Sequence, residues 1–380
     1  MRGAHLTVDL GALRHNYRII CDHINDKKIN KLCVIKANAY GAGALQVAKA
    51  LEDENADYFA VATLEEGVEL RKGKIQTPII VLGYVPEEDF SSILEHDLTL
   101  TVYEKSQASA LNKCAKMKGG IGKIHLKIDT GLGRLGFYPG EEVIPLIKEM
   151  MAMSSLMIQG IFTHFAVSYV PKDPFTKEQC RMYSAFLSNL EKEGISFPLV
   201  HAANSGGILF FKDSYYDMVR IGIILYGISP SLPDVDLKIT LSPIYSIHGA
   251  VGSVKELPEN HSVGYGRGYM TGRPTKVALI PLGYVDGIPK RYEKKGEVLI
   301  HGTRCPVVGG IAMDQFIVDV SHIKDLKIGD AYTLLGSQGS ENITVEEVAQ
   351  RSETNVYEII SRLGSRLPRI FIDPKSDSSS

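Results

Sequence analysis

The chain has 380 residues, 44% hydrophobic and 23% charged, with a formal net charge of −2. This length suits one large domain plus a smaller one, and the charge balance offers neither a basic field for nucleic acid nor a like-charge run for a polyelectrolyte, so small molecules are the expected partners. Cys21, Cys33, Cys114, Cys180 and Cys305 are scattered, with no CxxC pair and no histidine at metal-finger spacing, which predicts reduced thiols in a cytoplasmic protein and no metal.

The opening MRGAHLTVDL lacks the apolar stretch of a signal peptide, and the most apolar run, around 221–226, is too short to span a bilayer, so no membrane association is expected. A helix comes first, with Leu13, Tyr17, Ile20 and Ile24 at helical spacing behind Asp9 as N-cap. Strand-like runs follow at 32–36, 58–62, 78–84, 98–103, 123–129, 157–165, 198–204 and 218–227, alternating with amphipathic stretches. Eight such units over 10–230 predict an α/β fold, a (β/α)8 TIM-like barrel. An open doubly wound sheet is the alternative, but no GxGxxG follows the first strand.

Residues 229–238 carry prolines without periodicity and read as a linker. Beyond them, runs at 244–254, 276–284, 297–308, 315–320 and 331–336 alternate with Gly and Pro. They predict a mainly β C-terminal domain of residues 239–380, joined by 1–9. One helix is expected at Thr344, in a capping box closed by Glu347, and the tail 375–380 reads as disordered.

A barrel of this kind places its active site at the C-terminal ends of its strands, and chemically capable residues collect there. Lys36 ends the first run with Tyr40 just beyond, Arg134 lies in the loop DTGLGRLG after the fifth, and His164 ends the sixth. Asn204 and Ser205 end the seventh before two glycines, and Arg220, Gly222 and Ile223 belong to the eighth. Singly, each has an ordinary reading: a strand-end lysine reaches solvent, a core histidine bonds a carbonyl, a loop arginine is solvated. Jointly they suggest more. The hydroxyl and close backbone amides of NSGG and RIG suit a phosphate, and a buried lysine amine forms imines readily. Together they point to pyridoxal 5′-phosphate.

In VIKANAYG (34–41), DTGLGRLG (129–136), FTHFA (162–166), HAANS (201–205), RIGIILYG (220–227), VGYGRGY (263–269), LGYVDG (282–287), MDQ (313–315) and RLPRIF (366–371), the chain resembles the alanine racemases, fold-type III pyridoxal-phosphate enzymes. The resemblance runs along almost the whole chain. It implies that Lys36 binds the cofactor as an imine and serves as the D-face base, with Tyr265 as the L-face base. Read without it, Tyr265 between two glycines is a structural loop tyrosine. Arg220 would face the pyridine nitrogen, and His164 would bond Tyr265 and connect it to Arg220. Tyr40, Ser205, Gly222, Ile223 and Tyr357 would hold the phosphate, with Asn204 beside them.

Arg134 and the Met313 backbone would take the substrate carboxylate, Lys127 would steady Arg134, carbamylated as in many members, and Asp314 and Tyr284 would support. The family further implies a head-to-tail homodimer with shared active sites, and supply of D-alanine for peptidoglycan. The chain departs from the family at Ala42, where many members carry histidine, and at Gly310 and Lys290, where arginine is usual. A wider or less charged substrate corridor there admits serine or larger amino acids, whereas the retained Tyr357 favours alanine. A fold-type III amino-acid decarboxylase is the rival enzyme, a cofactor carrier without a second domain the non-catalytic one, and a cofactor-free Schiff-base aldolase the last.

Overall fold

The computed structural model describes residues 3–230, 235 and 237–373. The expected linker at 229–238 lies partly, and the expected tail at 375–380 wholly, outside the described residues. The chain divides into two compact units, one of Arg14–Ala39 and Ala44–Ser242, the other of Met1–Leu13, Tyr40–Gly43 and Pro243–Ser380.

A strand precedes the predicted first helix. It is β1 (His5–Asp9), and the helix Leu10–Ile24 follows it. Asp9 caps that helix by accepting a hydrogen bond from the Ala12 N–H at 2.8 Å, and Leu13, Tyr17, Ile20 and Ile24 are all buried, as their spacing requires.

The larger unit is a closed barrel of eight parallel strands. They are β2 (Asn30–Val34), β3 (Tyr58–Val61), β4 (Ile79–Val81), β5 (Leu98–Val102), β6 (Gly122–Lys127), β7 (Leu156–Phe162), β8 (Leu199–His201) and β9 (Met218–Ile221), with β9 pairing back to β2. Runs such as Ile79–Val81 and Leu98–Val102 are buried along their whole length because parallel strands are covered on both faces.

Several strands end earlier than their apolar runs. Strand pairing stops at Val34, Phe162 and His201, so Lys36, His164 and Asn204 lie in the connections beyond the strands rather than at their last positions. The eighth run is strand only to Ile221, and Ile223–Tyr226 is a buried 3-10 turn closed by Gly227 at φ +78°. A short apolar run does not distinguish strand from buried helix.

The other unit is mainly β. Its strands are β10 (Tyr245–Ala250), β11 (Ser253–Leu257), β12 (Ser262–Val263), β13 (Tyr269–Met270), β14 (Thr275–Ile280), β15 (Glu297–Ile300), β16 (Thr303–Val308), β17 (Phe316–Asp319), β18 (Ala331–Gln338), β19 (Glu341–Ile343) and β20 (Arg369–Ile372). The main sheet runs β11-β14-β17-β16-β15-β18-β10-β1-β20, with β19 beside β18. β12 and β13 form a separate hairpin on a cluster of Leu257, Val263, Val277 and Val308.

Thr344 caps the helix Val345–Arg351 through the Glu347 N–H at 3.1 Å. The reciprocal arm of the expected capping box is diverted: the Glu347 carboxylate instead meets Arg304 at 2.6 Å and Arg351 at 2.9 Å. A second helix, Val356–Ser361, was not expected, although Asn355 caps it through Glu358 N–H at 3.0 Å. Among the described residues no helix is long and apolar enough to cross a membrane, and all five cysteines are free.

Candidate active site

Lys36 opens a left-handed helical turn. Ala37, Asn38 and Ala39 have φ of 52–53° and ψ of 48–53°, and Tyr40 has φ 52°. Side chains on L-residues make this conformation cost roughly 1–2 kcal/mol per residue, so neighbours must hold it. In the barrel unit, Ala37 N–H donates to Glu66 Oε1 at 2.5 Å, Ala39 N–H to the Ile35 carbonyl at 2.9 Å, and Ala44 N–H to Asn38 Oδ1 at 2.8 Å. In the β unit, the Tyr245 hydroxyl donates to the Tyr40 carbonyl at 3.0 Å and Arg369 to the Gly41 carbonyl at 3.1 Å. Gly41, at φ +83°, admits no side chain, since a Cβ would lie 2.2 Å from the Ile360 carbonyl oxygen.

Lys36 itself is half-buried. Burial and then Arg134 push its pKa down, with Glu66 opposing, so the neutral amine is favoured relative to a free lysine. Arg134 is carried by a loop wound around Asp129, whose carboxylate accepts from the N–H groups of Gly131, Leu132, Gly133 and Arg134 at 2.8–3.1 Å. Burial alone would raise the Asp129 pKa, but these four donors together lower it.

Behind this loop Lys127 is buried, its Nζ 4.6 Å from the Phe162 ring centroid. Burial first, then Arg220 and Arg134, drive its pKa well below the usual lysine range, with Asp129 opposing. Arg220 is buried in β9 and donates to the carbonyls of Thr163 and Ala202, each at 2.7 Å, to His201 Nδ1 at 2.9 Å and to His164 Nδ1 at 3.2 Å. Burial lowers its pKa to about 10, which still leaves it charged at neutral pH. His164 is pushed well below its usual pKa by burial and then by Arg220, Lys127, Arg134 and Lys36.

Across the same barrel, Asn204 caps the short helix Ser205–Phe210 by accepting from Gly207 N–H at 3.0 Å, and Ser168 donates to it at 2.6 Å. Ser205 Oγ accepts from Gly222 N–H at 3.1 Å, which draws the loops after β8 and β9 together. A Cβ at Gly206 would lie 2.6 Å from the Ser168 carbonyl oxygen, so only glycine permits this approach. A hydroxyl with consecutive backbone amides around a glycine-only cradle suits a phosphate dianion.

The remaining candidates belong to the β unit. Tyr40 and Tyr357 face each other at 6.3 Å between ring centroids, and burial, then Tyr357, raises the Tyr40 pKa. Tyr265 lies in the connection of the β12–β13 hairpin and is 86% exposed, far more than a structural tyrosine requires. Tyr284 N–H donates to the Ala312 carbonyl at 3.1 Å and Val285 N–H to the Met313 carbonyl at 3.2 Å, and Arg366 pairs with Asp314 at 2.8 Å. The Met313 loop is thereby fixed to the Tyr284 turn. Ala42 is buried and Lys290 exposed, while a Cβ at Gly310 would lie 3.4 Å from a Glu293 carboxylate oxygen.

Residues 8–230 match the family described as alanine racemase, N-terminal domain, and residues 244–371 the alanine racemase, C-terminal domain. The chain belongs to the alanine racemase family. An alanine racemase of Methanococcus maripaludis is 40% identical over 365 residues, covering 96% of this chain and 97% of the relative. The solved alanine racemase of Clostridium difficile 630 superimposes with a TM-score of 0.92 at 35% identity, covering 98% of this chain and 97% of that one. That of Bacillus anthracis with bound L-Ala-P gives 0.93 at 34%, covering 98% and 96%.

For this alanine racemase family chain, sequence reasoning passed over Glu66, Asp129, His125 and His201. Thr63 and Glu66 form a capping-box pair legible in the sequence, but nothing local indicates that Glu66 also reaches Ala37.

Proposed function

We propose that this chain interconverts L-alanine and D-alanine with pyridoxal 5′-phosphate as cofactor, using Lys36 and Tyr265 as the two bases. The observation that carries the reading is the half-buried Lys36, its amine driven toward neutrality by burial and Arg134, in the same barrel as the Ser205–Gly222 cradle. The donor set fits the cofactor: an amine for its aldehyde, a guanidinium for its ring nitrogen, and hydroxyls with backbone amides for its phosphate. When bound, the cofactor supplies an electrophilic carbon and a ring that delocalises the electron pair left on the substrate Cα.

Lys36 holds the cofactor and exchanges a proton on one face of Cα, and Tyr265 does so on the other. Tyr40, Ser205, Gly222, Ile223 and Tyr357 hold the phosphate, with Asn204 fixing the Ser205 helix. Arg220, still protonated, would face the cofactor's ring nitrogen and leave it without a proton, which would limit the ring's electron withdrawal and so side reactions such as transamination. His164 accepts from Arg220 and bonds Tyr265, easing loss of the phenolic proton. Arg134 and the Met313 backbone bind the substrate carboxylate. Lys127, as the neutral amine that takes up carbon dioxide, steadies Arg134, and Tyr284 and Asp314 hold the Met313 loop.

On this reading residues 10–230 are the cofactor-binding barrel, and 1–9 with 239–380 form the domain supplying Tyr265. Tyr265 and Met313 serve the barrel of a second copy in a head-to-tail homodimer with shared sites. The enzyme works in the cytoplasm and supplies D-alanine for peptidoglycan.

A polarimetric assay over a panel of L-amino acids, with carbon dioxide monitored, tests the reading. L-alanine should lose rotation fastest and without gas release. Carbon dioxide evolution would establish a decarboxylase instead, and faster turnover of L-serine or larger substrates would give the substituted corridor at Ala42, Gly310 and Lys290 the deciding role.

A further inference from the structure

Glu66 stands on the helix Leu64–Lys72, and its carboxylate gathers three backbone donors from two segments. Oε2 accepts from Ala62 N–H at 2.7 Å and Thr63 N–H at 3.4 Å, which closes the helix cap, while Oε1 accepts from Ala37 N–H at 2.5 Å. The last bond is not needed for capping. It lands on the residue after Lys36, at the first of the left-handed positions.

We infer that Glu66 is a positioning residue for Lys36, fixing the main chain from which the amine projects and setting its charge balance. The inference rests on the reading of Lys36 as the cofactor-binding base. Two observations support it. The strained turn has no intrinsic stability, so the group that ties down its first N–H determines where the lysine starts. Among the described residues, the charged groups acting on Lys36 are Arg134, from the loop after β6, and Glu66, and Glu66 is the anion of the two. Its negative charge offsets Arg134, so the amine keeps enough basicity to return a proton as well as remove one.

Glu66→Gln tests both parts, because the amide keeps one acceptor oxygen and the shape but loses the charge and turns an N–H donor toward a backbone N–H. Thr63→Ala is the control: it removes the hydroxyl that accepts from Glu66 N–H at 3.4 Å and weakens the same helix cap, yet leaves the contact to Ala37. In the holoenzyme, amide hydrogen exchange over residues 36–41 should quicken in Glu66→Gln and not in Thr63→Ala.

In full-length protein freed of cofactor with hydroxylamine, reductive methylation of Lys36 by formaldehyde and cyanoborohydride is followed by mass spectrometry against pH. At a pH below the midpoint, Glu66→Gln should be labelled roughly three- to tenfold faster than wild type, a tenfold change in the amine fraction being one pH unit. Unchanged exchange and labelling in Glu66→Gln, or equal changes in Thr63→Ala, would overturn the role of Glu66 alone. Failure of wild type to take up pyridoxal phosphate at Lys36 on borohydride reduction would overturn the reading of Lys36, and the inference with it.

Discussion

Arg220 organises the interior of the barrel because it can only donate. His201 Nδ1 must therefore accept, its Nε2 carries the hydrogen, and that hydrogen goes to His125 Nδ1 at 2.9 Å. Both histidines are thus neutral in the fold. Burial, then Arg220, depresses the His125 pKa to about 3, and His201 and His164 move the same way. The unfolded chain, with ordinary histidines near 6.5, binds more protons, so stability falls as pH drops below about 6.5 and continues to fall until about 3. At pH 5 His125 alone should cost on the order of 2 kcal/mol relative to pH 7. Urea unfolding at the two pH values checks this, and replacement of His125 by Gln should reduce the difference by about that amount.

At the same scale, two-base chemistry predicts that Tyr265→Phe impairs solvent-proton exchange mainly from L-alanine and Lys36→Ala mainly from D-alanine. Equal losses in single-turnover exchange would contradict the assignment. Lys36, Arg134 and His164 were legible as capable groups near strand ends, and Arg220 as one within the eighth run. His125, His201 and Asp129 were not, because a histidine inside a strand reads as core and the four amides on Asp129 converge only when the loop closes.

Among the elements, the left-handed turn behaves unlike any other alanine-bearing segment. Ala37→Gly should relieve about 1–2 kcal/mol of backbone strain against roughly 0.5–1 kcal/mol of added freedom in the unfolded chain, a small net gain. In the right-handed helix Lys105–Lys118, Ala110→Gly should lose about 1 kcal/mol. Denaturation midpoints of the two variants should move in opposite directions. The barrel's eight strands were legible because each is an apolar, β-rich run between turn signals, and only their ends were misplaced. The left-handed turn was not: KANAY has no glycine, and contacts distant in sequence, among them those from Glu66, Tyr245 and Arg369, help select that conformation. Residues 1–9 were assigned to the β domain but β1 was not read as a strand: Leu6 and Val8 alternate cleanly with half-buried neighbours, yet the run is five residues long and gains its place from β10 and β20.

For the whole molecule, the proposed head-to-tail dimer makes a stoichiometric prediction. Lys36→Ala and Tyr265→Phe protein, unfolded and refolded together in equal amounts, should form mixed dimers in which one of two sites carries both intact bases. Random pairing then restores about a quarter of wild-type sites, whereas a self-contained monomer restores none.

The assignment of Tyr40–Gly43 to the β unit has a further bearing on how such a chain can change over generations. With that excursion and the N-terminal strand, the polypeptide passes between the two units four times, at residues 13–14, 39–40, 43–44 and 242–243. A single crossover near residue 242 would exchange most of the β unit while leaving β1 and Tyr40–Gly43 from the other parent. The hybrid would carry a foreign Tyr245 and Arg369 against the carbonyls that end the lysine's turn. Inheritance of the halves as separate modules is therefore restricted to parents that match at those few positions.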